Sequence, residues 1–278
     1  MKLLPLLFTA SLATAVLNIK IEDSFSHLTP NNINGIHFNS DTTDKNLQTV
    51  YDIDSNKYSV IKIGKQYWMQ QNLHTSKYND STPIATNLSV AEWKTTTSGA
   101  YAVYDNNTAM DILYGKLYNG YAVATGKLCP KGWRIPKDAD WKELETVLGV
   151  AKEELNRTGG RSNLAGKIKS LQQWKTSDMT IDNNTGLSIL PAGTRTDSGD
   201  FITINQFTGF WTSTEYETAS NYLWYRHFYY NINEIGRNYV IKNNGYSCRC
   251  IKENDPVKTA ANKKLPVKKT AATTKKKQ

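Results

Sequence analysis

Short apolar runs separated by turn residues characterise the middle of the chain. Residues 50–54 and 58–63 are such runs on either side of a polar turn, and residues 66–69 follow a second turn. Runs of this length, rich in Val, Ile, Tyr and Trp, are typical of strands. The pattern predicts a meander of short strands here, and further strands at residues 186–193, 209–215, 238–241 and 245–251.

Residues 222–231 alternate in character with the period of two that a strand requires. We expect one face to pack inward, so that its arginine needs an acidic side chain or backbone carbonyls as partner. We expect the other face to point outward, apart from its leucine. The inward face is Tyr222, Trp224, Arg226, Phe228 and Tyr230, and the other is Leu223, Tyr225, His227, Tyr229 and Asn231.

Two segments show apolar residues at helical spacing. The first predicts a helix that begins at Asp138 and ends at Gly149, and the second predicts a helix over residues 163–174. We interpret both stripes as core, which together with the strands indicates an α+β fold. The stripes are Trp141, Leu144, Val147 and Leu148 in the first helix, and Leu164, Ile168 and Leu171 in the second.

The two ends of the chain differ in composition from its middle. Residues 1–15 have the basic start, apolar run and small-residue site of a secretory signal peptide. We predict an irregular leader at residues 16–48 with a short strand at 16–21, a domain at 49–254, and a disordered Lys-rich tail at 255–278. The protein is therefore expected to be secreted or held at the cell surface, without a transmembrane segment.

The net charge of +9 is concentrated at the C-terminus. Residues 252–278 contain nine lysines against one Glu and one Asp, a net charge of +7, and Lys2 adds one more, which leaves +1 for residues 16–251. Specific nucleic-acid binding is not expected from a nearly neutral domain. The tail is expected to contact anionic surface polymers through salt-sensitive attraction.

The chain has three cysteines, which are Cys129, Cys248 and Cys250. Export would place them in a compartment that permits disulfides, and the odd number leaves one thiol over or one intermolecular bridge. No pair has the spacing of a zinc ribbon and the four histidines are scattered, so we expect no metal site.

Seven motifs in one order resemble the Fibrobacter succinogenes major paralogous domain family, over roughly residues 50–254. The motifs are YDID at 51–54, IKIGKQYWMQQNL at 61–73, YGKLYN at 114–119, LCPKGW at 128–133, LPAGTR at 190–195, FWTSTE at 210–215 and GYSCRC at 245–250. This family looks related to the C-type lectin-like fold, which it shares with formylglycine-generating enzymes and with variable proteins diversified by retroelements. The resemblance implies two helices, a twisted antiparallel sheet and long loops, with a ligand surface on the final strands.

The resemblance also implies that Cys250 pairs with Cys129, because the family usually has an apolar residue where this chain has Cys248. A Cys129–Cys248 bridge is the alternative, since positions 248 and 250 share one side of a strand. The family usually has a small hydroxyl residue at the position of Lys137. Lysine cannot cap a helix in this way, so we expect Asp138 to be the N-cap.

No assembled catalytic motif is visible. A Gly-x-Ser-x-Gly elbow is absent, and His227 has no evident Asp to orient it. An oxidase that uses Cys248 and Cys250 would fit the kinship with formylglycine-generating enzymes, but their cysteine pattern is not recognisable here. The calcium motifs of sugar-binding lectins are also missing. We predict a non-catalytic protein without a cofactor.

Tyr, Asn and His crowd into residues 221–244, and these residue types supply rigid contact area and adaptable hydrogen bonds. We therefore predict a binding module for glycan or protein, with a structural envelope or matrix component that has no specific ligand as the alternative. The predicted ligand-binding residues are Tyr225, His227, Tyr229, Asn231, Asn233, Asn238, Tyr239 and Asn243. The predicted core tryptophans are Trp68, Trp133, Trp141, Trp211 and Trp224.

Overall fold

The computed structural model describes residues 49–253, so the predicted signal peptide, leader, strand at 16–21 and tail lie outside the described residues. The strands are β1 (Thr49–Tyr51), β2 (Lys57–Ile63), β3 (Gln66–Met69), β4 (Tyr101–Ala102), β5 (Leu117–Asn119), β6 (Trp133–Arg134), β7 (Gly159–Asn163), β8 (Thr194–Arg195), β9 (Phe201–Ile202), β10 (Phe207–Tyr216), β11 (Ala219–Tyr229), β12 (Glu234–Ile241), β13 (Gly245–Tyr246) and β14 (Ile251–Lys252). The helices are α1 (Val90–Thr95), α2 (Thr108–Tyr114), α3 (Gly120–Ala124) and α4 (Asp138–Leu148).

The strands form three antiparallel sheets, and the fold of the described residues is α+β and rich in sheet. Their orders are β1-β2-β3-β14-β6, β10-β11-β12-β7 and β4-β5-β13-β8-β9. The first sheet contains the predicted meander, and β14 from the end of the domain lies between β3 and β6. Within residues 49–253, no helix combines the length and the apolar character needed to cross a membrane.

A disulfide fastens the last strand region to the middle of the chain. It joins Cys129 and Cys250, whose Cα atoms are 5.9 Å apart, while Cys248 is a buried free thiol. The same segment is hydrogen-bonded to the first sheet, since the Met69 N–H donates to the Cys250 carbonyl at 3.0 Å and the Leu73 N–H to the Cys248 carbonyl at 2.8 Å. The pairing implied by the family resemblance is therefore the one in the structure.

Removing this disulfide should destabilise the domain strongly. The bridge spans 121 residues of sequence, and the chain-entropy model gives about 4–5 kcal/mol for a loop of that size. Urea unfolding of the Cys129→Ser/Cys250→Ser variant should show a loss of this order, whereas Cys248→Ala should keep the bridge and lose only buried packing. An unreduced peptide map with free Cys129 would contradict the assignment.

Helix α4 begins at Asp138 and ends at Gly149, as predicted, but Asp138 is not its N-cap. Lys137 occupies that position, and its N–H donates to the Asp140 carboxylate at 2.6 Å. Asp138 is the first helical residue, and its carboxylate points instead to arginines of the sheet. Gly149 ends the helix with a left-handed φ of 104°, a conformation that glycine adopts without strain.

The apolar stripe of α4 is narrower than predicted, because Val147 is 47% exposed whereas Trp141, Leu144 and Leu148 are buried. Glu145, and not Val147, is the fourth residue on the buried side of the helix, and its carboxylate is ion-paired. A stripe of residues 141, 144, 145 and 148 follows the helical period more closely, and residue 147 lies to one side of it.

The predicted helix over residues 163–174 is wrong, since only a short 3-10 turn, Ala165–Lys167, forms there. Asn163 belongs to β7, and beyond the turn the Ser170 N–H donates to the Ile189 carbonyl at 2.8 Å. Pairing with a distant segment therefore replaces the local hydrogen bonds that a helix would need. Ile168 is buried as a core residue, but Leu171 is 67% exposed.

Four apolar clusters form the core of residues 49–253, and the two largest contain four of the predicted core tryptophans. One contains Trp68 and Trp141, packed edge to face with ring centroids 5.0 Å apart beneath α4. The other contains Trp133, Trp211 and the disulfide. Trp224 is only half-buried and belongs to neither cluster, which corrects its assignment to the core.

Candidate recognition surface

The three longest strands form the sheet that holds most of the predicted ligand-binding residues. β11 lies between β10 and β12, and the register places Trp224 opposite Tyr239 and His227 opposite Gly236. Helix α4 packs over part of one face, where its apolar side shares a cluster with Phe228 of β11. Beyond the start of α4 the same face is open to solvent.

Four aromatic side chains meet on this open part, and we call them the aromatic surface: Tyr216, Tyr222, Trp224 and Tyr239. Tyr216 and Tyr239 stack with centroids 3.7 Å apart and an interplanar angle of 13°. The Trp224 ring stands edge-on to both, at 5.5 Å from Tyr216 and 5.4 Å from Tyr239. All four are partly exposed, and Tyr239 is 36% exposed. The strand period and the cross-strand register together produce this grouping.

Arg237 supports the aromatic surface from below. The centre of its guanidinium lies 3.5 Å from the Trp224 ring centroid, which is a cation–π contact. The guanidinium is itself fixed, since Nε and Nη2 donate to the two Asp138 oxygens at 2.9 Å each and Nη1 donates to the Asn156 carbonyl at 2.8 Å. Trp224 therefore packs against a planar guanidinium group that is held in place by three hydrogen-bonded contacts.

Asp138 and Glu145 of α4 hold the other buried arginines of the sheet. Arg226 donates from Nη1 to Asp138 at 2.8 Å and from Nε to Glu145 at 2.6 Å, and Arg161 of β7 donates to Glu145 at 2.6 Å. The acidic partner expected for Arg226 is thus present. Burial opposes ionisation of Asp138, but hydrogen bonds from Arg237 and the charge of Arg226 outweigh it and hold the pKa of this carboxyl well below its usual range.

The second face of β11 is more covered than predicted. Tyr225 and His227 are half-buried, because Tyr246 of β13 stacks on Tyr225 at 4.9 Å and the His227 ring lies directly over Gly236. A Cβ at Gly236 would come within 2.1 Å of His227 Nε2, so glycine is required there. Tyr229 is the exposed residue of this row, at 41%. Tyr225 and His227 are therefore only partly exposed, less than the predicted outward orientation implies.

The predicted asparagines fall in different places. Asn243 is buried, and its Nδ2 donates to backbone carbonyls at the end of α1, including that of Thr96 at 2.9 Å. Asn233 accepts from the Gly166 N–H at 2.7 Å, and Asn238 accepts from the N–H of the next residue at 2.9 Å. These contacts shape the backbone. Asn231 is exposed in the turn between β11 and β12.

The model of the Fibrobacter succinogenes major domain matches residues 61–252. The chain belongs to this family. The resemblance is thereby confirmed for the six motifs from residue 61 onward, over a stretch that includes α4 and the whole candidate recognition surface. The YDID motif, β1 and the first residues of β2 lie before the matched stretch. Searches among curated proteins and among solved structures returned no match to this chain.

In this member of the Fibrobacter succinogenes major domain family, sequence reasoning missed Tyr216 and Tyr222 as surface residues and assigned Trp224 to the core. Tyr222 and Trp224 precede Arg226 on the inward face, and the helix that buries this face stops short of them. The sequence did contain a signal for this exposure. Tyr222 and Trp224 lie near the start of the strand, before Arg226, which is its first buried charged residue. Among residues 49–253 no group of three His, Cys, Asp or Glu side chains is arranged to hold a metal ion.

His227 gives this family member a specific pH dependence. Burial, together with the charges of Arg226 and Arg161, lowers the pKa of His227 from 6.5 to about 4. Between these two values the unfolded chain binds a proton that the folded protein does not, so stability falls as the pH falls through this window. The slope due to His227 reaches at most about 1.4 kcal/mol per pH unit.

Urea unfolding of the wild type and of His227→Phe at pH 7, 5.5 and 4 measures this effect. The variant should lose less stability on acidification than the wild type, whereas His74→Phe should keep the part of the slope that comes from His227. Equal pH dependence in the wild type and His227→Phe would contradict the assignment.

Proposed function

We propose that this protein is an exported, non-catalytic binding module that recognises glycan through the aromatic surface. The observation that carries the proposal is the grouping of four partly exposed aromatic rings, Tyr216, Tyr222, Trp224 and Tyr239, at one end of a rigid sheet. Tyr and Trp combine a flat apolar face with a hydrogen-bonding group, so they suit ligands that are apolar on one side and polar at the edge. Pyranose rings have this character.

Rigidity supports the same proposal. The Trp224 ring is held by Arg237 and by two tyrosines, so little side-chain freedom is lost when a ligand binds. Arg237 is neutralised by Asp138, and Lys242 at the sheet edge pairs with Glu215 at 2.7 Å. Both cations are thus paired with carboxylates, which disfavours an anionic ligand.

We further propose that the α+β domain has the C-type lectin-like arrangement, in which final strands and loops form the ligand surface. The position of β14 beside β3 supports it, because this pairing brings the end of the domain back to its start. The Cys129–Cys250 disulfide supports it as well, because it holds the same end to the middle of the chain. A disulfide also fits export to an oxidising compartment, as the signal-like residues 1–15 suggest. The Lys-rich tail would add salt-sensitive attachment to anionic polymers.

The state of the cysteines argues against the oxidase alternative. Cys248 is completely buried, and burial raises the pKa of its thiol far above the usual range, so that it stays protonated. Reactive cysteines are accessible and have lowered pKa values. Cys250, the other member of the pair, is occupied in the disulfide.

A glycan array probed with the full-length secreted protein tests the proposal. The wild type should bind at least one class of neutral glycan, and Trp224→Ala and Tyr239→Ala should each weaken that binding about tenfold or more. Tyr229→Ala is the matched control, since it removes an exposed tyrosine from the opposite face of β11. Circular dichroism should show that all three variants fold.

An array without bound glycan would favour the structural envelope or matrix component instead. Binding that survives both Trp224→Ala and Tyr239→Ala would show that the aromatic surface is not the site.

A further inference from the structure

A second concave surface lies at the other end of β11. Residues 173–179 run between the loop of residues 204–206, which leads into β10, and the turn of residues 230–233, which joins β11 to β12. A groove of about 540 Å³ lies on one side of this segment and a groove of about 610 Å³ on the other, and both are bounded by Thr176. We call the two grooves together the trough.

Carboxamides are the main polar groups of the trough. A carboxamide without an internal partner offers two N–H donors and a carbonyl acceptor, which matches a sugar hydroxyl that both donates and accepts. The side chains of Gln206 and Asn231 make no hydrogen bond to any other part of residues 49–253, so they are free for a ligand. The carboxamide residues of the trough are Gln173, Asn205, Gln206, Asn231 and Asn233.

Two aromatic rings accompany these amides. Trp174 lies in one groove and Tyr230 in the other, and a lysine ammonium stands over each ring, Lys169 at 4.8 Å and Lys175 at 5.0 Å. The Trp174 Nε1–H donates to a backbone carbonyl at 3.1 Å, which fixes the indole. The charged side chains that line the trough are Lys175 and Asp178, one of each sign. The lining is thus polar but neutral.

The walls of the trough are tied together. Lys169 is completely buried, and its ammonium donates to the Tyr229 and Ile232 carbonyls at 2.5 and 2.9 Å, which anchors the β11–β12 turn. Ser177 Oγ donates to the Tyr230 carbonyl at 2.9 Å, and the Lys175 N–H donates to the Asn205 carbonyl at 2.7 Å. A ligand would therefore meet a preformed site and would not have to order it.

Two residues of the trough have a left-handed backbone. Gln173 and Asn205 have φ angles of 72° and 62°, and nine other residues besides glycine within residues 49–253 also have a positive φ. Gln173 and Asn205 line the same groove, and both carry a carboxamide.

We propose that the trough binds a neutral oligosaccharide as an extended chain. The two free carboxamides of Gln206 and Asn231, the two aromatic rings, the balanced charge and the open elongated shape all match such a ligand. A peptide fits less well, because the lining includes no strand edge to extend and no row of apolar pockets. Tyr230 lies six residues beyond Trp224, which along a strand is about 20 Å, so the trough is a site separate from the aromatic surface.

Titration calorimetry of the full-length protein tests this proposal. The probes are cellohexaose, maltohexaose, xylohexaose and chitohexaose, with hexagalacturonate as an anionic counterpart. At least one neutral hexasaccharide should bind with a Kd between about 10 μM and 1 mM. The Gln206→Ala/Asn231→Ala variant should weaken this binding about tenfold or more. It should fold normally, because neither side chain has a hydrogen-bond partner within residues 49–253.

Gln172→Ala is the matched control, since it removes an exposed carboxamide next to the trough that lines neither groove. Trp224→Ala should also leave this affinity unchanged, so that failure of the aromatic surface and failure of the trough give different results. The proposal is overturned if no neutral hexasaccharide binds at about 5 mM, if hexagalacturonate binds more tightly than all of them, or if Gln206→Ala/Asn231→Ala binds like the wild type.

Discussion

A buried cluster of opposite charges joins helix α4 to the β10–β12 sheet, and the candidate recognition surface depends on it. Asp138 and Glu145 project from the helix, and Arg161, Arg226 and Arg237 come from three strands. Burying such charges costs about as much free energy as their attraction returns. The cluster therefore contributes orientation more than net stability, because it sets where the helix starts and which part of the sheet it covers.

The position of α4 divides one face of the sheet into a part that the helix buries and a part that stays partly exposed. Beneath α4, Phe228 and Ile235 join the apolar core. Past the Asp138 end of the helix, Trp224 and its tyrosine neighbours stay partly exposed, and Arg237 connects the two parts by binding Asp138 on one side and Trp224 on the other. A guanidinium that belongs to the core thus fixes the orientation of residues at the surface.

The spacing of apolar residues predicted the elements in which one side faces the core along the whole element. The alternation at residues 222–231 predicted β11, and the stripe from Trp141 to Leu148 predicted α4. The helix expected at residues 163–174 failed because Ser170 pairs with Ile189, a contact that no local period reveals. The exposure of side chains on β11 was predicted wrongly in part. The two-residue alternation separates the two faces of a strand, but it does not show which other elements pack on each face. Tyr246 covers Tyr225, and α4 stops before Trp224.

The central claim is that Asp138 and Arg237 act as one unit, and a double-mutant cycle measured by urea unfolding tests it most directly. Asp138→Asn should cost about 3–5 kcal/mol, because it leaves the buried Arg237 guanidinium without its carboxylate partner. Arg237→Gln should cost less, because Arg226 still pairs with Asp138. The double variant should cost clearly less than the sum, with a coupling of about 2 kcal/mol or more. Additive costs, with a coupling below about 0.5 kcal/mol, would contradict the claim.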